Sequence, residues 1–135
     1  MYITELPEGE RLPVSSLNVS LQKTKEFLEA SEESSGFFTE TSLGDTAPTT
    51  ICASLAIASI FKNYELPPGT IHTAQDLKFH KLVKVGDNFT CYLRVTRNQK
   101  RGDLQIMNLN IEIMDETNDL IMEGVTSFIT PQETL

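Results

Sequence analysis

The sequence predicts an α+β domain, a curved antiparallel sheet wrapped around one central helix. Three observations lead there. A nearly uninterrupted apolar stretch, "ICASLAIASIF", follows a Pro-Thr-Thr start signal. After Gly69 the hydrophobic period changes from helical to two. From there onward, strand-like runs are separated by short polar turns, the pattern of an antiparallel meander.

Taken in order, "GERLPVSSLNV" reads as an extended lead-in and Ser20 as an N-cap. "LQKTKEFLEAS" then places Leu21, Phe27 and Leu28 near one helical face, and "EESSG" ends the helix. "FFTETSLGDTAP" is a loop anchored by Phe37 and Phe38. Pro48 with Thr49 or Thr50 opens the second helix, which is apolar almost all round and therefore expected to be buried. Its Ala53, Ala56 and Ala58 leave room for a sheet to curl closely around it, and "NYELPPGT" stops it.

The strands follow. "TIHTAQDLKF" alternates Ile71, Thr73, Gln75, Leu77 and Phe79 with His72, Ala74, Asp76, Lys78 and His80. "FTCYLRVT" places Phe89, Cys91, Leu93 and Val95 on one face; "LQIMNLNIEIM" does the same with Met107, Leu109, Ile111 and Ile113. "NQKRGD" and "DETND" are the hairpin turns, and "LIMEGVTSFIT" is the last strand.

Composition excludes several function classes. A net charge of −8 argues against a nucleic-acid backbone or an anionic membrane as partner, since both reward Lys and Arg. The apolar helix is too short to span a bilayer. No export signal is visible at the N-terminus, so a cytoplasmic location is expected, with Cys52 and Cys91 reduced and buried. There is no Gly-rich phosphate loop, no Ser-His-Asp set and no zinc spacing, so neither a metal nor a bound cofactor is expected.

The most specific signal is the order of three segments. "GDTAPTTICASLA" resembles the start of the central helix in MaoC-like hotdog dehydratases, particularly their non-catalytic, N-terminal-type halves. "PPGTIHTAQDLKFHKLVKVGDNFTCYLRVT" is similar to the family's next segment, in which Val-Gly-Asp leads into a long strand. "RGDLQIMNLNIEIMDETNDLIMEGVTSFI" continues it, and "LQKTKEFLEASEESSGFF" is similar to the short helix before the family's active-site loop. The likeness implies a single hotdog domain over 1–135, with 1–11 and 131–135 peripheral. It also implies a dimer, and as ligand an acyl thioester of coenzyme A or acyl carrier protein.

Active members of that family use an Asp and a His, in the loop after the short helix, to add or remove water beside the thioester carbonyl. Here that loop carries Glu32, Glu33 and Asp45 but no histidine, and Phe37 or Phe38 falls where the His is expected. The resemblance therefore implies a chain related to (R)-specific enoyl-CoA hydratases and 3-hydroxyacyl dehydratases but without its own dyad. Such a chain acts as a homodimer or beside a catalytic hotdog partner. Two alternatives stay open: a hotdog thioesterase using Asp45 or Glu40 as general base, and a non-enzymatic acyl-CoA-binding module.

The candidate site residues are few. Asp45 and Glu40 are possible bases, although a carboxylate near a helix start is also favoured simply by the helix dipole. Thr49, Thr50 and Ile51 supply backbone N–H groups that could polarise a thioester carbonyl. His72, Asp76 and His80 share one strand face if the alternation holds, but His72 and Asp76 would then stand about 13 Å apart. That spacing makes them one partly solvated polar face rather than a metal site. His72, at the strand start near the end of the central helix, is the better functional candidate of the two histidines.

Overall fold

A computed structural model describes residues 1–30 and 46–132. After a short 3-10 turn at Ile3–Glu5 come strand β1 (Leu12–Asn18) and helix α1 (Leu21–Ala30). A two-residue strand β2 (Thr46–Ala47) precedes the central helix α2 (Thr50–Asn63). The remainder is β: β3 (Ile71–Phe79), β4 (Val83–Lys84), β5 (Asn88–Arg101), β6 (Leu104–Asp115) and β7 (Leu120–Pro131). The main sheet has five strands in the order β1-β5-β6-β7-β3, all antiparallel, and β2 pairs separately with β4. This is the hotdog architecture expected from the sequence.

Helix α2 forms because of packing rather than propensity. Thr50, Ile51, Cys52, Ile57, Ile60 and Phe61 are indifferent helix formers, each costing up to ~0.7 kcal/mol relative to Ala. Burying an Ile side chain returns ~1.5–3 kcal/mol, and Ile51 and Ile60 are 2% and 1% exposed. With Cys52, Ala53 and Ala56 they meet the inner face of the sheet, built from Phe89, Cys91, Leu93, Val95, Met107, Leu109, Ile111, Ile113, Met122 and Phe128. The alternation of β5 and β6 thus places the expected residues in the core. Ser15 Oγ donates to Ser59 Oγ at 2.9 Å, tying β1 to the helix.

Some expectations need correction. The helix is not covered all round: Thr50, Ser54, Ala58 and Lys62, four apart, form an exposed stripe. In α1 the buried residues are Thr24 and Leu28, whereas Leu21 is 55% exposed. The Ser20 cap is as expected, with Lys23 N–H donating to its hydroxyl at 3.1 Å. The turn placed at 98–103 shrinks to Gly102-Asp103, because β5 and β6 stay paired out to Arg101↔Leu104. Gly102 supplies the positive φ that such a tight turn needs.

The largest topological difference concerns β3. It does not join the meander beside β5 but crosses over to pair with β7 at the sheet edge. Residues 1–11, expected at the periphery, send Ile3 and Leu6 into the core. Asn98 Nδ2 holds this segment by donating to Thr4 O at 3.2 Å and Leu6 O at 2.7 Å.

Candidate functional site

Three stretches distant in sequence converge at the start of α2. Ala47↔Val83 and Thr46↔Lys84 pairing fixes the approach to the helix, with Ala47 and Val83 fully buried. The Val85-Gly86-Asp87 turn follows. Gly86, at φ 95°, donates its N–H to Val19 O at 2.7 Å, and Val19 N–H donates back to Asp87 O at 3.0 Å. Within the turn, Lys84 N–H donates to Asp87 Oδ2 at 2.9 Å. So the Val-Gly-Asp segment staples the entry of α1 to the entry of α2. Burial pushes the Cys52 thiol in the first turn of α2 up to about 12, and the negative charge of Asp87 adds to the rise.

At the helix start itself, Thr49 already has helical backbone angles and its hydroxyl makes no cap bond. The Pro-Thr-Thr signal therefore located the helix, but not through side-chain capping. Ile51 N–H donates to Pro48 O at 3.0 Å and Cys52 N–H to Thr49 O at 3.1 Å. Of the three candidate amides, Ile51 is thus engaged within the chain. Thr49 and Thr50 remain, Thr50 exposed, at the positive end of the helix dipole. The other candidates here, Asp45 and Glu40, together with Glu32, Glu33, Phe37 and Phe38, lie outside the described residues.

The histidines are elsewhere. A register shift between His72 and Ala74 leaves Thr73 as an extra residue in β3. His72 therefore lies opposite the buried Phe128 on the helix-facing side, and Asp76 lies opposite Val125 on the outer side. The single polar face expected from strict alternation is split by this bulge. The His72 ring sits 5.6 Å from that of Phe128, which in turn meets Phe61 at 5.8 Å in the last turn of α2. Phe61 is eleven residues from Thr50, about 16 Å along the axis at 1.5 Å per residue. His80 is on the outer side, with Nε2 3.2 Å from Glu123 Oε1. Neither imidazole reaches the start of α2 or faces Asp76.

Sequence reasoning missed the β2–β4 anchor, whose two-residue strands are too short for any periodicity to register. It also passed over Gly124. A glycine inside a strand pattern is a signal of close approach, and a Cβ there would lie 2.7 Å from Asp76 O and 2.8 Å from Leu77 Cδ2.

A family model described as FAS1-like, dehydratase domain region, matches residues 9–124. The chain belongs to this family. No curated protein matches this FAS1-like chain. Its fold is similar to the unliganded R-hydratase PhaJ1 from Pseudomonas aeruginosa, at 21% identity and a TM-score of 0.74, over 97% of this chain and 86% of that one. It is similar to the (R)-hydratase from A. caviae involved in PHA biosynthesis, at 25% identity and a TM-score of 0.71, over 92% and 96%. It is also similar to the C-terminally truncated HadBC (3R-hydroxyacyl-ACP dehydratase) complex from Mycobacterium tuberculosis, at 19% identity and a TM-score of 0.74, over 91% and 96%. The FAS1-like chain thus shares the hotdog fold of these R-hydratases and of the dehydratase complex. Among the described residues, no helix is long and apolar enough to cross a membrane.

Proposed function

We propose that this chain is an acyl-thioester-binding hotdog subunit, related to (R)-specific enoyl hydratases and 3-hydroxyacyl dehydratases, that lacks an Asp/His pair of its own. It works as a homodimer, or beside a catalytic hotdog partner, on thioesters of coenzyme A or acyl carrier protein in the cytoplasm. The observation that carries the reading is the position of the imidazoles. The chain has two histidines, and both are accounted for on or just after β3, one against Phe128 and the other on Glu123. Hydration needs a proton-transferring pair and a donor polarising the carbonyl. The amides of Thr49 and Thr50 suit the second requirement; for the first, His72 packs on Phe128 and His80 meets Glu123 on the outer face of the sheet, on the side opposite α2. The partner half of the reading is supported by β3, an open sheet edge with Ile71 62% and Leu77 37% exposed.

The test is incubation of the pure chain with crotonyl-CoA and with a series of saturated acyl-CoAs. The expected result is a raised melting temperature without loss of the conjugated absorbance and without thiol release. Hydration by the chain alone overturns the missing pair. Thiol release points instead to a thioesterase using Asp45 or Glu40. No melting shift with any thioester sinks the ligand class. Adding a catalytic hotdog chain that carries the Asp and His, and finding its activity raised, separates a passive subunit from a stand-alone binding module.

A further inference from the structure

Beyond the far end of α2, the helix-facing side of the sheet turns polar. Lys100 pairs with Gln105 and Gln105 with Thr130, so they form one row across β5, β6 and β7. Thr130 is buried, Pro131 exposed and Gln132 half-buried, which continues the alternation and keeps Gln132 on the side of Thr130. With Tyr2 and Pro67 these residues line a cavity of about 190 Å³. Pro67 lies just past Tyr64, the C-cap of α2. The helix has 14 residues, about 21 Å at 1.5 Å per residue. The cavity is therefore remote from the Thr49 and Thr50 amides.

Most donors around the cavity are already committed. Gln105 Nε2 donates to Thr4 O at 3.1 Å and to Asn98 Oδ1 at 2.7 Å, which uses both of its hydrogens. Thr70 Oγ1 donates to Pro67 O at 2.6 Å, so the 3.0 Å contact between the Thr70 and Thr130 hydroxyls takes its hydrogen from Thr130. Two side-chain nitrogens are left over. Lys100 makes no ion pair among the described residues. Gln132 Nε2 is buried without a hydrogen-bond partner, and among the described residues it is the one buried side-chain N or O atom in that state. Buried polar groups are almost always paired, and an orphaned one is costly. Among the described residues no carboxylate lines the cavity. Glu5, in the adjoining turn, already accepts from Tyr2 N–H at 2.7 Å.

We propose that this cavity binds a short-chain carboxylate, its oxygens shared between Lys100 Nζ and Gln132 Nε2 and its alkyl part lying against Pro67 and Pro131. Charge sets the ligand class: an ammonium without a counter-ion, beside an unmatched N–H donor, calls for an anionic acceptor. Size sets the chain length. At ~30 Å³ per water the space holds about six waters, the bulk of butyrate rather than of a fatty acid or a nucleotide. The walls are held in place. Gly69 has φ 83°, and a Cβ there would lie 3.0 Å from Pro131 Cγ, so glycine lets the ring pack over this loop. Gln132 N–H donates to Asp103 O at 2.7 Å, which anchors the backbone, while χ3, a broad torsion, lets the amide turn to a guest. The site is separate from the proposed thioester contacts, and neither reading needs the other.

Titration of the full chain with sodium butyrate at constant ionic strength is expected to give one-site binding in the millimolar range and a raised melting temperature. Butyramide, of the same shape without the charge, is expected not to bind. Lys100 is exposed on the hairpin, so Lys100→Met leaves the fold in place and is expected to weaken butyrate binding about tenfold. Gln132→Met removes the unmatched amide at nearly constant length. It is expected to weaken butyrate to a similar extent and, without butyrate, to melt no lower than the wild type. A lower melting temperature for Gln132→Met means that the amide is satisfied within the protein, and overturns the proposal. So does a failure of butyrate to bind, equal binding of butyramide or of inorganic phosphate, or binding indifferent to both substitutions. Crotonyl-CoA binding, measured in parallel, reports on the thioester reading and not on this one.

Discussion

Leu77 fills the space that a side chain on Gly124 would need. A Cβ built there lies 2.8 Å from Leu77 Cδ2 and 2.7 Å from the carbonyl oxygen of Asp76. The second contact is to backbone, so it is not relieved by a rotamer change. Gly124→Ala is therefore expected to push β3 off β7 and to cost about 1–3 kcal/mol of stability, as overpacking does. Urea unfolding of the variant measures it. An unchanged midpoint means that β3 is free to shift and that the tight approach is not a constraint.

Burial holds both thiols in the neutral form. It pushes Cys91 up to about 11, only partly offset by the hydroxyl of Ser59, and Cys52 up to about 12. The thiolate is the reactive species, and both side chains are fully buried. A disulfide reagent at pH 8 is expected to label neither cysteine in the native chain and both after unfolding. Rapid labelling of one thiol in the native protein would show that the helix–sheet interface opens readily.

The hairpin joining β6 to β7 sets a pH dependence. The Thr117 hydroxyl, the Asp119 N–H, Lys81 and the Thr117 N–H together hold the Asp115 carboxyl well below the usual carboxylate range. A carboxylate depressed in the folded state contributes stability above its unfolded value, ~3.9, and that contribution is lost as pH falls through this range toward the folded value. Asp115→Asn is therefore expected to lower the melting temperature at pH 7. The gap to the wild type should close as the pH is taken below 4. A gap constant with pH would mean that the charge of Asp115 contributes nothing beyond its hydrogen-bond geometry.

The parts of this architecture that the sequence disclosed are those written in local periodicity. Phe89 to Val95 and Met107 to Ile113 alternate cleanly because one face of β5 and β6 is buried and the other is not. Pro48 marked the start of α2 because proline fits a helix entry. What stayed hidden depends on distant partners. Nothing within 71–79 says that its neighbour is β7 rather than β5. Threonine is an ordinary strand residue, so the bulge at Thr73 leaves no compositional trace, yet it moves His72 to the opposite face from Asp76. The candidate amides were legible as a helix start. That Ile51 is already bonded to Pro48 could be known only from the turn geometry.

Asn98 is a further case, since an asparagine in "RNQKRGD" reads as a turn residue but acts as a clamp. Its Nδ2 donates to Thr4 O and Leu6 O, its Oδ1 accepts from Gln105 Nε2 at 2.7 Å, and its own N–H donates to Glu8 Oε1 at 2.7 Å. The carbonyls of the N-terminal segment are thereby satisfied where Ile3 and Leu6 enter the core. Asn98→Ala removes the side-chain bonds and leaves partly buried groups without their partner, at a cost of about 1–3 kcal/mol. Because the clamp acts on residues 1–11, the loss should be local before it is global. Limited proteolysis is expected to cut the variant within the first ten residues under conditions that leave the wild type intact, while the β5–β6 ladder keeps its protection from hydrogen exchange. Equal proteolysis of the two proteins would show that the burial of Ile3 and Leu6 holds the segment without Asn98.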